Sequence, residues 1–270
     1  MMKKFFTIAA LALLMTACSN DIDEPQAQQS ANPNGMITIT AKLAPKSEAG
    51  TRAVETGKDF NNNDIIKVKW AQNEQLAILY EVNSEKKLAV ATINHVDENT
   101  GIATVTFAVE SGTADDTPCT IVYPYDAAKD DYSGVKDAAT LLAEQNGTLN
   151  ANLDVRVGAG TIITSTPNLA VTTQPEAQFA IVKFTLTDGT DAINAKEFTI
   201  RDGSDNFVSF VLLTSHTSTF YVAMAPATSS TFKFEVMADD ESTFFYTKTN
   251  VTLTAGKFYQ SQIQMGRVIG

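Results

Sequence analysis

The sequence predicts an all-β protein made of antiparallel sandwiches. Three observations carry this. From Met36 onward apolar and polar residues alternate with period 2, polar turn clusters separate the alternating runs, and helical periodicity is nearly absent. A parallel sheet would need amphipathic crossovers between its strands, and the spacing leaves hardly any room for them.

A leader precedes the β region. Met1-Met2-Lys3-Lys4 is a short positive stretch, Phe5 to Met15 is almost wholly apolar, and Thr16-Ala17 are small residues where a signal peptidase requires them. The apolar run is about half the roughly 20 residues that span a bilayer as a helix, so residues 1–18 read as a secretory signal. Met15-Thr16-Ala17-Cys18 resembles a bacterial lipobox, which implies that Cys18 carries the lipid and becomes the new N-terminus. Several acyl chains hold far more firmly than one, at about 0.8 kcal/mol per buried methylene, so a tethered protein is expected. Residues 19–35, SNDIDEPQAQQSANPNG, lack periodicity and read as a flexible tether. The acids at its start resemble the export stretch of surface lipoproteins of the Bacteroidota.

The first domain is expected over 36–165. MITITAKLA opens it as a half-buried strand, and DIIKVKWA, QLAILYEV, LAVATINHV, GIATVTFAV and PCTIVYPY follow, with turns such as NSEKK and DENTG between them. GVKDAATLLAEQ, residues 134–145, is the best helical candidate. The Pro/Thr/Ser-rich TSTPNLAVTTQPEAQ reads as the boundary region, which puts the second domain at 166–270. Strands resume there with FAIVKFTLT, AKEFTIRD, VSFVLL, STFYVAMA, STFKFEVMA, TFFYTKTNVTL and KFYQSQIQM, a half dense in Phe.

The net charge is −11, and no basic patch with interleaved aromatics occurs, so nucleic acid is excluded as a partner. Cys18 and Cys119 are the only cysteines; with Cys18 acylated no internal disulfide forms, and Cys119 reads as a small buried hydrophobe. Stability then has to come from core burial. The only histidines, His95 in a strand pattern and His216 in a Ser/Thr-rich turn, read as structural or solvated. No HExxH, GxSxG, GxGxxG or CxxC occurs; no catalytic residue and no cofactor is indicated, and a non-enzyme is expected.

DFNNNDI, Asp59 to Ile65, has the alternating oxygens of a calcium loop but neither the central Gly nor the closing Glu, and reads as Asx-turns. The aspartates at Asp126, Asp130 and Asp131 and at Asp202 and Asp205 read as solvated turns, with a surface cation site as the alternative. Trp70 reads as core; a glycan platform would need aromatic companions. Asn146-Gly147-Thr148 and Asn250-Val251-Thr252 match the glycosylation pattern, which has no bearing on a bacterial lipoprotein.

The lipobox, MITITAKLA followed by GTRAVE, the Trp-containing strand leading into EQLAILYE, IVYPYDAA, EQNGTL and the closing LTAGKFYQSQIQM stand in one order along nearly the whole chain. Together they resemble the fimbrillin superfamily of Bacteroidota, with its FimA-like and Mfa-like type V pilins. The resemblance implies two transthyretin-like β-sandwich domains in tandem behind a lipidated leader. It also implies cutting by an arginine-specific protease in the loop after the first strand, here between Arg52 and Ala53. Gly50, Thr51 and their polar neighbours make the exposed stretch in which proteolysis concentrates.

Cutting there would remove MITITAKLA with its lipid, and a strand from another pilin subunit would fill the gap, as donor-strand assembly requires. The implied partners are pilin subunits, the processing protease, the outer membrane through the anchor, and a host or bacterial surface ligand. Only GRVIG follows KFYQSQIQM, and five residues reach about 17 Å, too short for a donor strand. Either KFYQSQIQM is itself the donor, or the chain accepts a strand without offering one, as a tip or accessory subunit would. Two other readings stand beside this one. An outer-membrane-anchored glycan-binding module requires exposed aromatics on one face and an intact first strand; a secreted hydrolase requires a convergent acid pair.

Overall fold

A computed structural model describes residues 35–46, 55–58, 64–67, 69–143, 145–149 and 153–267. In chain order the strands are β1 (Met36–Leu43), β2 (Glu55–Lys58), β3 (Asp64–Lys67), β4 (Gln75–Val82), β5 (Glu85–Val96), β6 (Ala103–Glu110), β7 (Thr117–Tyr123), β8 (Arg156–Ile163), β9 (Asn168–Ala177) and β10 (Ala180–Thr187). Then come β11 (Ala195–Asp202), β12 (Phe207–Thr217), β13 (Thr219–Met224), β14 (Ala227–Ala238), β15 (Thr243–Leu253), β16 (Phe258–Gln264) and β17 (Gly266–Arg267). The protein is thus all-β, with several sheets. Between β7 and β8 lie a 3-10 turn, Tyr125–Ala127, and a helix, α1 (Ala138–Leu142).

The helix expected over 134–145 shrinks to these five residues. Asp137 caps its start, accepting from the Thr140 backbone N–H and hydroxyl at 2.9 Å each. Its continuation is diverted into sheet pairing. The Gln145 N–H donates to the Phe210 carbonyl at 3.2 Å, and the Gln145 carbonyl accepts from Leu212 at 2.9 Å.

The first half departs from the expected two-sheet sandwich. Its strands form one sheet in the order β1-β6-β5-β4-β7-β8-β9, and the ends meet to close a barrel. Closure rests on one parallel bridge, Thr40 with Asn168, whereas β1 and β6 pair antiparallel from Met36↔Glu110 to Leu43↔Ala103. β1 therefore lies at the seam. Ile39, Ala41 and Leu43 point into the barrel core with Leu76, Ile78, Val105, Phe107, Ile121 and Ile162. Among the described residues of DIIKVKWA, Asp64–Lys67 is strand; it pairs with β2 as a separate two-stranded ribbon that is not part of the barrel sheet.

The stretch read as the domain boundary is itself a barrel strand. β9 runs antiparallel to β8, so a divide at residue 166 would cut the barrel sheet, and the strands of the three- and five-stranded sheets begin with β10. β8 is a second strand that the alternation of apolar residues does not reveal. Its inward positions are Arg156, Gly158, Gly160 and Ile162, of which only the last is a large apolar side chain. Gly158 is required by close approach: a Cβ there would stand 2.6 Å from the Thr173 carbonyl oxygen and 2.8 Å from the Pro175 nitrogen.

The second half has two sheets, β13-β10-β16 and β12-β11-β14-β15-β17, over one core. Its centre is a cluster of Phe184, Phe198, Phe220 and Phe234. Phe198 lies 4.9, 5.0 and 5.5 Å from the other three rings, centroid to centroid. β16 runs parallel to β10 from Ile181↔Phe258 to Thr187↔Gln264, and Ile263 and Met265 are buried in this core.

A third apolar layer joins the halves. Ala77, Leu79 and Val122 on the outer face of β4 and β7 pack with Ile181 and Ala223 on the outer face of the three-stranded sheet. β4 is consequently covered on both faces, which accounts for its unbroken apolar run, LAIL.

Candidate functional site

The site grows from the strand at the seam. β1 alternates strictly because Thr38, Thr40 and Lys42 face solvent while Ile39, Ala41 and Leu43 face the core. Beyond Leu43 the chain leaves the sheet but stays fixed. The Ala44 carbonyl accepts from the Trp70 indole N–H at 2.9 Å, and the Ala44 N–H donates to Gln174 Oε1 at 3.1 Å. Pro45 is pressed by the turn at Gly101, where φ is +70° and a Cβ would fall 2.9 Å from the Pro45 Cβ.

Lys46 then turns inward. Its Nζ donates to Asp154 Oδ2 at 3.0 Å and lies 4.0 Å from the ring centroids of both Trp70 and Tyr123. Those rings meet edge to face at 5.3 Å, making two walls of a cage floored by the carboxylate. Asp154 also receives Arg156, whose Nε lies 2.9 and 3.0 Å from its two oxygens, while Arg156 Nη1 donates to the Pro175 carbonyl at 3.4 Å. Relative exposure is 7% for Lys46 and 2% for Asp154 and Arg156, so two cations and one anion are packed almost without water. Beside them a groove of about 510 Å³ runs between the barrel end and Ala255, Gly256 and Lys257.

Burial pushes the Lys46 ammonium down to about 8, with Asp154 opposing the shift and Arg156 adding to it. The folded value lies below the ordinary lysine value. Between about pH 8 and that ordinary range the unfolded chain holds more protons at this position, so folding gains with rising pH; below pH 8 the burial cost stands in full. Measured by urea unfolding, the stability of the wild type relative to Lys46→Met is expected to increase from pH 7.5 to pH 10. A difference flat across that range would mean that Lys46 does not titrate there.

Cys18, Arg52 and Ala53 lie outside the described residues. Trp70 is in the core as expected, and Cys119 is a free buried thiol pushed up to about 12 by burial. His95 is exposed, and His216 pairs at the surface with Asp239. Asp131 accepts from Ser133 and Asp202 from Ser204 and Asn206, while Asp205 pairs with Lys233 at 2.6 Å. No group of three or more His, Cys, Asp or Glu among the described residues is arranged to hold a metal ion. The exposed aromatics among them come from separate places: Tyr132 from the turn before α1, Phe207 from β12 and Phe245 from β15.

Sequence reasoning missed the cage. A signal was available in LDVRVG, where opposite charges two residues apart on an extended chain share a face amid apolar neighbours.

No protein-family model matches the chain, and no curated protein matches it. Solved structures overlap it in part. It is similar to a protein from Bacteroides uniformis provisionally assigned to cell adhesion, at 12% identity over 88% of this chain and 98% of the other, TM-score 0.43. A fimbrial assembly protein from Parabacteroides distasonis overlaps at 13% identity over 84% and 90%, TM-score 0.44. A fimbrial protein from Bacteroides ovatus overlaps at 14% over 83% of this chain and 49% of the other, TM-score 0.39.

Proposed function

We propose that this chain is a fimbrial or adhesin-type surface lipoprotein of the fimbrillin kind, anchored in the outer membrane through Cys18 and without catalytic activity. An arginine-specific protease cuts it between Arg52 and Ala53. A strand from another pilin subunit then replaces β1. We further read the two halves as two domains in tandem, a barrel followed by a two-sheet half of transthyretin-like kind, with the divide between β9 and β10.

The seating of β1 is the observation that supports this most. It holds a full ladder on β6 and a single bridge on β9, so it can leave by breaking one ladder. Its departure would strip Ile39, Ala41 and Leu43 from the core and uncover two strand edges, a state that recruits another strand through backbone hydrogen bonds and side-chain pockets. β16 is held in its own sandwich beside β10, with Ile263 and Met265 buried, which argues against its serving as a donor and favours an accepting, tip or accessory role.

Mass and N-terminal analysis of the protein from the native cell surface tests the reading. A mature chain beginning at Ala53, lost in Arg52→Ala together with the ladders on unboiled gels, is the expected result. A chain that begins at acylated Cys18 and stays monomeric would overturn it.

A further inference from the structure

We propose that the Trp70, Tyr123 and Asp154 cage is a recognition site for a basic side chain of the incoming strand, and that it fixes the register of that strand. The inference rests on the strand-replacement reading above. The accepted strand carries inward apolar residues at alternate positions and a lysine or arginine three residues beyond the last of them, as Lys46 follows Leu43.

The placement of the residues carries the idea. Lys46 lies on the N-terminal side of Arg52, while Trp70, Tyr123, Asp154 and Arg156 all lie on the C-terminal side. A cut at Arg52 therefore divides the cage from its occupant. The part that remains holds two ring faces set at 89° and a carboxylate whose Oδ2 has lost the ammonium at 3.0 Å, while Arg156 Nε stays on both its oxygens. Paired aromatic faces with a buried carboxylate attract a desolvated cation and accept no neutral side chain equally well. A buried ion pair adds little net stability but rejects misplaced partners, since an incoming strand shifted by two residues would leave its cation outside and the carboxylate without its second cation beside Arg156.

The fit also discriminates among donors. β1 itself satisfies the spacing through Ile39, Ala41, Leu43 and Lys46. The β16 segment does not: three residues beyond Met265, the buried residue that follows it, stands Val268. The suitable donor is thus a strand of β1-like pattern with a basic residue at the cage position, supplied by another subunit.

The test uses the full chain with residues 49–54 replaced by a unique protease site, nicked there, and kept folded as checked by circular dichroism. A fluorescent peptide of residues 36–46 is added in excess, and its uptake is followed by gel filtration and anisotropy. Uptake of this peptide is expected, with Lys46→Arg close to it and Lys46→Met weakened by about tenfold or more. Equal uptake of the Lys46→Met peptide would overturn the cage proposal while leaving strand replacement intact. If no peptide enters the nicked chain, strand replacement fails and the cage proposal fails with it.

Discussion

Asp154→Asn is expected to destabilise the barrel by about 3–5 kcal/mol, because it leaves two buried cations without their shared counter-charge. Lys46 Nζ and Arg156 Nε both lie within 3.0 Å of this carboxylate, and neither has water to turn to. The amide keeps the shape and one acceptor, so the loss measures charge rather than packing. Urea unfolding read by Trp70, the sole tryptophan and itself a cage wall, gives the value directly. Adding Lys46→Met should recover part of the loss, since one of the stranded cations is then gone; a double-mutant cycle isolates that coupling. A cost below about 1 kcal/mol would show that the carboxylate does not hold the two cations together.

In the other half, Phe198→Ala should cost about 3–5 kcal/mol. Phe198 is fully buried, contacts three aromatic rings, and stands on β11, which is paired on both sides in the five-stranded sheet, so its removal leaves a cavity that no single neighbour can close. Trp70 reports the barrel, whereas far-UV circular dichroism reports both halves. The dichroism midpoint should therefore move further than the fluorescence midpoint. Equal movement of the two would mean that the apolar layer of Leu79, Val122 and Ile181 makes the halves unfold as one unit.

The strands that pack one face against a core were legible in the sequence. β1 and β6 alternate cleanly, and the alternation names Ile39, Ala41, Leu43, Val105 and Phe107 as inward. β8 was hidden because its inward places hold Arg and two Gly, which fit there only through the close passage of β9 and the pairing with Asp154. β9 was hidden by its exposure at Thr172, Thr173 and Gln174, which breaks the apolar rhythm that would otherwise mark it. Sheet closure was equally illegible, since it depends on one bridge between residues 128 positions apart, from Thr40 to Asn168. The candidate site divides in the same way. Trp70 was readable as core, but Lys46 lies in a polar-looking run, and its counter-charge is 108 residues away in sequence. A burial so far outside local pattern leaves no periodic trace.

The parallel pairing of β10 with β16 has a mechanical consequence. β10 enters the sheet at Ala180 from the barrel side, and β16 leaves it at Gln264, so a pull between those points tugs the two strands in opposite directions along their length. Every rung from Ile181↔Phe258 to Thr187↔Gln264 then shares the load and must slide at once, instead of opening one by one like a zipper. Resistance of this kind is set by the barrier to unfolding and not by equilibrium stability. A molecule tethered at its front and tugged at its rear would thus hold longest along the line where its final long strand is stitched beside β10.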